Sequence, residues 1–360
     1  MIGTFCSAGA VVTVTAEILS RYSYRHRYGI PYRPRIYGDY RYREFVVKDD
    51  GPMDSRLLRG YRSRCVSINR WGLRGPEPLE GRKRLVVIGE SEIFGVKLSR
   101  EDMVWRRVLQ DSLDRSRPGR WEVINGGHPG YSSEQHRLLW DGELMESVRP
   151  DVVLLRFGGN DLSMAYAMGR RWNRESRWPL KFLWGMNSVQ TPLQIAMMHS
   201  CLYYQGKGRD FYRRAFGDVL KTFPEEKRNE ALAVVMDNHR KILKIAEASG
   251  AKVAVLSAAG LEQCLRDGED KGPLDALNEN WRAFSEGYGP TLDICQDLLR
   301  DDFCFNTGIP FLDLREYLSR REDLGTLYFD GVHWNDRGHA AVAEYMEKAL
   351  EDLGWLDLDR

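Results

Sequence analysis

Several features that would mark a specialised chain are scarce in this one. Cysteine occurs six times in 360 residues (Cys6, Cys65, Cys201, Cys264, Cys295, Cys304), never as a C-x-x-C pair. That pattern argues against a zinc site and a disulfide framework, and leaves isolated buried thiols. Charge of one sign is lacking as well: 53 Lys and Arg face 52 Asp and Glu, a net charge of +1. No overall field therefore draws the chain to nucleic acid. Internal repeats and low-complexity tracts are missing. So is a long apolar run. Ser7 to Leu19 is mildly apolar but short, broken by threonines and Glu17, with no basic segment before it. It fails the tests for a signal peptide and a membrane span, and we expect an ordinary packing helix there. Membrane association then has no support, and the expected compartment is cytoplasmic unless a longer start encodes an anchor, which would place the chain in the cell envelope. The remaining composition, 42% hydrophobic and 29% charged, is that of a globular protein large enough for one domain with insertions.

Along the chain, residues 1–80 read as an N-terminal arm. Residues 20–64 are rich in arginine and tyrosine, which suits a solvated arm lying along the main domain with half-buried tyrosines. A surface for anionic headgroups or polysaccharide is the alternative. Asn69 to Pro76 is a turn-rich lead-in. Five short apolar runs then read as strands: Leu85–Ile88, Glu122–Asn125, Val152–Phe157, Lys252–Leu256 and Pro310–Leu314. Helical patterns separate them. Ser99 with Asp102, and Ser132 with Gln135, have the spacing of helix caps. A helix is expected over Glu230–Ala248, closed by Gly250, and a last one from about Arg337 to Leu353 capped by Asn335 or Asp336. Strands alternating with helices at this spacing make a mostly parallel sheet. The main domain is expected over 81–354, with insertions at about 163–226 and 261–306.

Acyl chemistry needs a hydroxyl, a base, a group that orients the base, and donors for the oxyanion. Ser91, in Gly89-Glu90-Ser91, follows the first strand at the rim where open α/β sheets bind ligands. His333 is the candidate base, with Asp330 three residues earlier across a Gly-containing turn. Gly130 can bring its N–H close to a substrate, Asn160 offers a side-chain amide, and the Ser91 N–H is a third donor.

Together these residues resemble the SGNH (GDSL-type) hydrolases, named for a Ser, a Gly, an Asn and a His in four ordered blocks. Here the blocks are Gly89-Glu90-Ser91, Asn125 to Gly130, Gly158-Gly159-Asn160-Asp161 and Asp330-Gly331-Val332-His333. The resemblance covers roughly 84–162 and 228–354. It implies a three-layer α/β/α sandwich with a flavodoxin-like, five-stranded parallel sheet. It also implies a Ser91, His333, Asp330 triad, an oxyanion hole of Ser91, Gly130 and Asn160, and no metal or organic cofactor. The expected activity is serine ester hydrolysis, acting on a small-molecule or glycan ester such as an acetylated carbohydrate. An O-acyltransferase with the same residues, or a catalytically weak carbohydrate-binding protein of the same fold, are the alternatives.

Glu90 stands where the family has Asp, and Glu92 adds a second carboxylate. Unless both point to solvent, they would favour imidazolium and weaken His333 as a base. His128, Trp334, Trp172 and Trp178 are candidates for a substrate wall, against plain burial for the tryptophans and surface placement for His128. His339 reads as packing or capping, and Asp161 as a loop fastener.

Overall fold

The computed structural model describes residues 2–28, 42–98, 100–178, 223–265 and 279–357. Five parallel strands form its centre: β3 (Lys83–Gly89), β4 (Trp121–Gly127), β5 (Val152–Arg156), β6 (Lys252–Leu256) and β7 (Phe311–Leu312), in the order β4-β3-β5-β6-β7. All five expected strands are present. Numbered within the sheet, that order is 2-1-3-4-5, the flavodoxin-like winding. The chain reverses its direction of growth beside β3, so the crevice at the carboxyl end of β3 is the switch point where such sheets bind ligands.

Alternation along the strands divides the interior into two layers, because successive side chains leave opposite faces of a sheet. Leu85, Val87, Val152, Leu154, Ala254 and Leu256 belong to one core, which α3 (Trp105–Ser116) and α8 (Asp336–Asp352) cover. Val86, Ile88, Val153, Leu155, Val253 and Val255 belong to the other. That face carries α4 (Ser133–Trp140), α5 (Gly159–Met168), α6 (Glu225–Ala248) and α7 (Glu279–Asp297). The domain is therefore an α/β/α sandwich.

Helix ends follow local chemistry. Ser132 and Gln135 form a reciprocal capping box on α4, and the Asn335 side chain accepts from the N–H groups of Arg337 and Gly338 to start α8. Ser99 lies outside the described residues. The following helix starts at Trp105 after a 3₁₀ turn, and its first N–H donates to Nδ1 of buried His339 at 3.4 Å.

Three sequence expectations are corrected. The stretch from residue 163 does not leave the domain at once: Ser163–Met168 completes α5, and Trp172 and Trp178 are buried in its core. Leu162, Met164, Ala165, Tyr166 and Ala167 are all buried, and a helix apolar on every side carries no amphipathic period. The stretch 261–306 holds a long helix, α7, widening to π-type hydrogen bonding over Leu298–Cys304. Gly287, Gly289 and Pro290 obscure it in sequence, yet a Cβ on Gly287 would collide with the Tyr166 hydroxyl of α5.

The arm is the third correction. A hairpin of β1 (Val46–Lys48) and β2 (Ser55–Leu57) and the turns up to Gly75 build a small core of Tyr42, Phe45, Val46, Leu57, Cys65, Val66 and Ile68. Phe94 and Val96, just after Ser91, complete it. Ahead of this lies α1 (Ile2–Tyr28), which contains the apolar stretch noted in the sequence. Its Val11, Val12, Val14, Ile18 and Leu19 are exposed rather than packed, so a packing helix is not what forms. Among the described residues no helix is long and apolar enough to cross a membrane.

Candidate active site

Register brings the site together. Gly89 is paired with Gly127 on one side and Arg156 on the other, so β3, β4 and β5 end at one level. Ser91, Gly130 and Asn160 each follow one of those ends within a few residues. Ser91 opens a four-residue helix, α2 (Ser91–Phe94), which lies so close to β4 that a Cβ on Gly127 would overlap the Phe94 backbone nitrogen. Glycine is required there by space alone. Asn125 fastens the same turn, its amide donating to the carbonyls of Ile93 (2.8 Å) and Phe94 (3.3 Å).

His333 arrives from the turn before α8. Its Nε2 lies 2.8 Å from Ser91 Oγ, across 242 residues of sequence. Its Nδ1 lies 2.9 and 3.0 Å from the two oxygens of Asp330. Asp330 also accepts from the backbone N–H groups of Val332 (3.0 Å) and His333 (2.8 Å), so the three-residue spacing closes a turn that locks carboxylate and ring together. Burial alone would raise the Asp330 pKa. Opposing it, the positive charges and hydrogen bonds of His333 and Lys97 hold it well below the usual carboxylate range.

The candidate donors converge on the same rim. Gly130 adopts φ +75°, a left-handed turn that suits glycine. The Asn160 amide donates one hydrogen bond to Tyr131 O at 2.9 Å, which fixes its plane and leaves its second N–H. Asp161 fastens the loop as expected: it accepts from the N–H (2.7 Å) and hydroxyl (2.8 Å) of Ser133, and burial pushes its pKa up to about 6.

A family model for GDSL-like lipases and acylhydrolases matches residues 87–341. The chain belongs to the GDSL-like lipase/acylhydrolase family. Membership makes it an ester-bond hydrolase. Solved structures similar to this acylhydrolase include a gut microbial diltiazem-metabolizing enzyme, at 14% identity over 76% of this chain and 48% of the other, TM-score 0.45. The hydrolase thus spans about half of that protein's length. A lipase/acylhydrolase from Enterococcus faecalis shares 14% identity over 75% of this chain and 96% of its own, TM-score 0.41. An acetyl xylan esterase shares 14% over 74% and 99%, TM-score 0.40. No curated protein matches.

The hydrolase departs from the family's Asp at Glu90 without losing the turn. Glu90 is buried, and its Oε1 accepts from the N–H groups of Gly158 (2.9 Å) and Asn160 (2.8 Å), reaching across to the loop after β5. Glu92 is buried too, 2.9 Å from the Arg156 guanidinium, which also stands 3.8 Å from Glu90. Neither carboxylate faces solvent, and Arg156 offsets their charge. Burial, with the charge of Glu92 second, pushes the Glu90 pKa up to about 8 against Arg156 and the Asn160 N–H.

Two residues of the hydrolase's site escaped the sequence. Lys97, with φ +73°, ion-pairs with Oδ2 of Asp330, the oxygen that also lies 2.9 Å from His333 Nδ1. Arg156 ends β5 and reads in sequence as one more strand residue. Their signal is weak: a lysine six residues after the serine, and a charge closing an apolar strand.

The proposed wall is a correction. Trp334, 1% exposed, donates to Ala259 O and packs edge-on against His339. Trp172 and Trp178 are core residues. His128 is buried against the Tyr131 ring at 3.3 Å. Large rings gain most from burial, which left none of the four a face for substrate. His128, His136, His239 and His339 are all held neutral by burial, His136 and His339 pushed down to about 3 and His239 to about 4. Among the described residues no cluster of His, Cys, Asp or Glu could hold a metal ion.

Proposed function

We propose that this acylhydrolase is a serine esterase using Ser91, His333 and Asp330. The observation that carries the reading is the 2.8 Å contact between Ser91 Oγ and His333 Nε2, with Asp330 on the opposite ring nitrogen. Ser91 Oγ attacks the ester carbonyl as Nε2 takes its proton. The oxyanion that forms is held by the N–H groups of Ser91 and Gly130 and by the second Asn160 N–H. Collapse breaks the bond to the alcohol, which leaves with the proton from His333. Water, giving a proton to the same nitrogen, then attacks the acyl-enzyme; the bond to Ser91 breaks, the acyl group leaves as the carboxylic acid, and His333 returns the proton to Ser91 Oγ.

A small acyl group, acetyl on a carbohydrate, is the substrate class we propose. Its support is the aromatic and basic composition of residues 163–226, including Arg170, Arg171 and Trp184.

Hydrolysis of p-nitrophenyl acetate and butyrate by the wild type and by Ser91→Ala, from about pH 5 to about pH 9, tests the nucleophile. The variant should lose on the order of 10⁴-fold or more in kcat. Equal rates would assign the reaction to another group. Acetylated xylan or mannan set against long-chain esters tests the substrate, and preference for the long chains would reject acetyl carbohydrate.

A further inference from the structure

Over residues 11–23, helix α1 turns its apolar side chains to solvent. At 100° per residue, Val14, Ile18, Val11, Tyr22, Leu19 and Val12 fall on one arc of about 160°, all six exposed, with exposed Thr15 as a polar residue among them. Val12 is 68% and Tyr22 70% exposed. The side chains turned away from solvent are small or polar: Ser20 is buried, and Ala16, Glu17 and Arg21 are half-buried. A soluble helix buries its apolar face, so this one presents to its surroundings the face that water disfavours.

Charge says what covers it. Arg25 and His26, both exposed, stand on the last turn beyond the apolar face, and Arg21 lies beside them. Only Glu17 opposes them within the helix, bonded to Arg21 at 2.7 Å. The sequence over residues 20–47 carries seven arginines against Asp39 and Glu44. Exposed apolar side chains with a tyrosine and arginines beside them suit the boundary between acyl chains and anionic headgroups, where a long arginine stem can carry its guanidinium out to the phosphates. A second copy fits less well. The face is about 16 Å long and about 10 Å wide, far below the roughly 800 Å² per partner of a stable protein interface.

We infer that α1 is a membrane-surface helix that lays Val11, Val14, Ile18 and Leu19 into the acyl boundary of an anionic bilayer while its arginines meet the headgroups. The helix lies on the membrane, since it is not apolar enough to span one. This inference does not depend on the catalytic assignment.

Co-sedimentation of the full chain with vesicles of phosphatidylcholine, alone or mixed with phosphatidylglycerol, tests it. Binding should appear with the mixed vesicles and weaken with added salt. Val11→Asp/Ile18→Asp should reduce it about tenfold or more, with circular dichroism and p-nitrophenyl acetate hydrolysis unchanged. Arg21→Gln/Arg25→Gln should reduce the preference for the anionic lipid and keep the residual apolar binding. Absence of binding, equal binding by the aspartate variant, or equal binding to both vesicle types would each overturn the proposal. Concentration-dependent dimerisation abolished by the aspartates, without vesicle binding, would assign the face to a second copy instead.

Discussion

At the scale of single residues, the Asp330 carboxylate has a lysine partner besides the His333 ring. Lys97 and the His333 ring both meet Oδ2 of Asp330, and Lys97 occupies a left-handed conformation that costs about 1 kcal/mol or more outside glycine. Lys97 draws on the carboxylate charge that would otherwise favour a protonated imidazole. Lys97→Met should therefore move the acid limb of the kcat/KM profile upward by roughly 0.5–1 pH unit, with little change in the plateau. A profile superimposable on the wild type would reduce Lys97 to a packing residue. Glu90 makes a prediction about stability. Its pKa is raised from 4.5 to about 8, so within that window the unfolded chain has released a proton that the folded chain retains. The unfolded state then binds fewer protons, and stability falls as pH rises from about 4.5 to about 8. Glu90→Gln keeps an acceptor for the two N–H groups but cannot ionise, so its urea midpoint should vary less with pH over that range. A slope equal to the wild type would mean that Glu90 stays ionised beside Arg156.

At the scale of elements, a four-residue helix is too short to hold itself, and α2 is fixed from outside. The buried Arg74 guanidinium donates to Phe94 O and Gly95 O at 2.7 Å each, pairs with Glu101 at 2.8 Å, and lies 4.9 Å over the Phe94 ring. One planar fork meets all of these, and a lysine ammonium cannot. Arg74→Lys should lower stability by about 2–4 kcal/mol, read from urea unfolding, and lower kcat with it. The elements themselves were largely legible. Each strand is a short apolar run, and the Ser132–Gln135 and Asn335 caps form as their spacing indicates. Illegible were the elements whose signal is tertiary: α5, buried on every side, and α7, whose glycines answer to Tyr166 rather than to helix propensity.

At the scale of the molecule, the four family blocks meet because the sheet ends in register. The Ser91, His333 and Asp330 contacts follow from motifs visible in sequence, whereas Lys97 and Arg156 follow from the fold. Contacts cross the expected boundary at residue 80. Residues 42–76 bury Phe45 at 5.9 Å from Phe94 and pair Arg74 with Asn125, so they are part of the floor beneath the Ser91 turn. A fragment starting at residue 81 should expose Phe94 and Val96, elute as aggregate in size exclusion, and hydrolyse p-nitrophenyl acetate poorly. A monomeric fragment with full activity would show that the hairpin is dispensable.

Glu90 also has a mechanical consequence. It extends from the turn that carries Ser91 and grips, through two N–H groups, the turn that carries Asn160. The two turns are thereby linked as by a tie rod. The link should couple their thermal displacements, so that the gap between Ser91 Oγ and the Asn160 amide fluctuates less than either end moves. Geometry of that kind governs rate more strongly than the absolute position of either group. One carbon longer than the family's aspartate, the side chain sets the length of the rod.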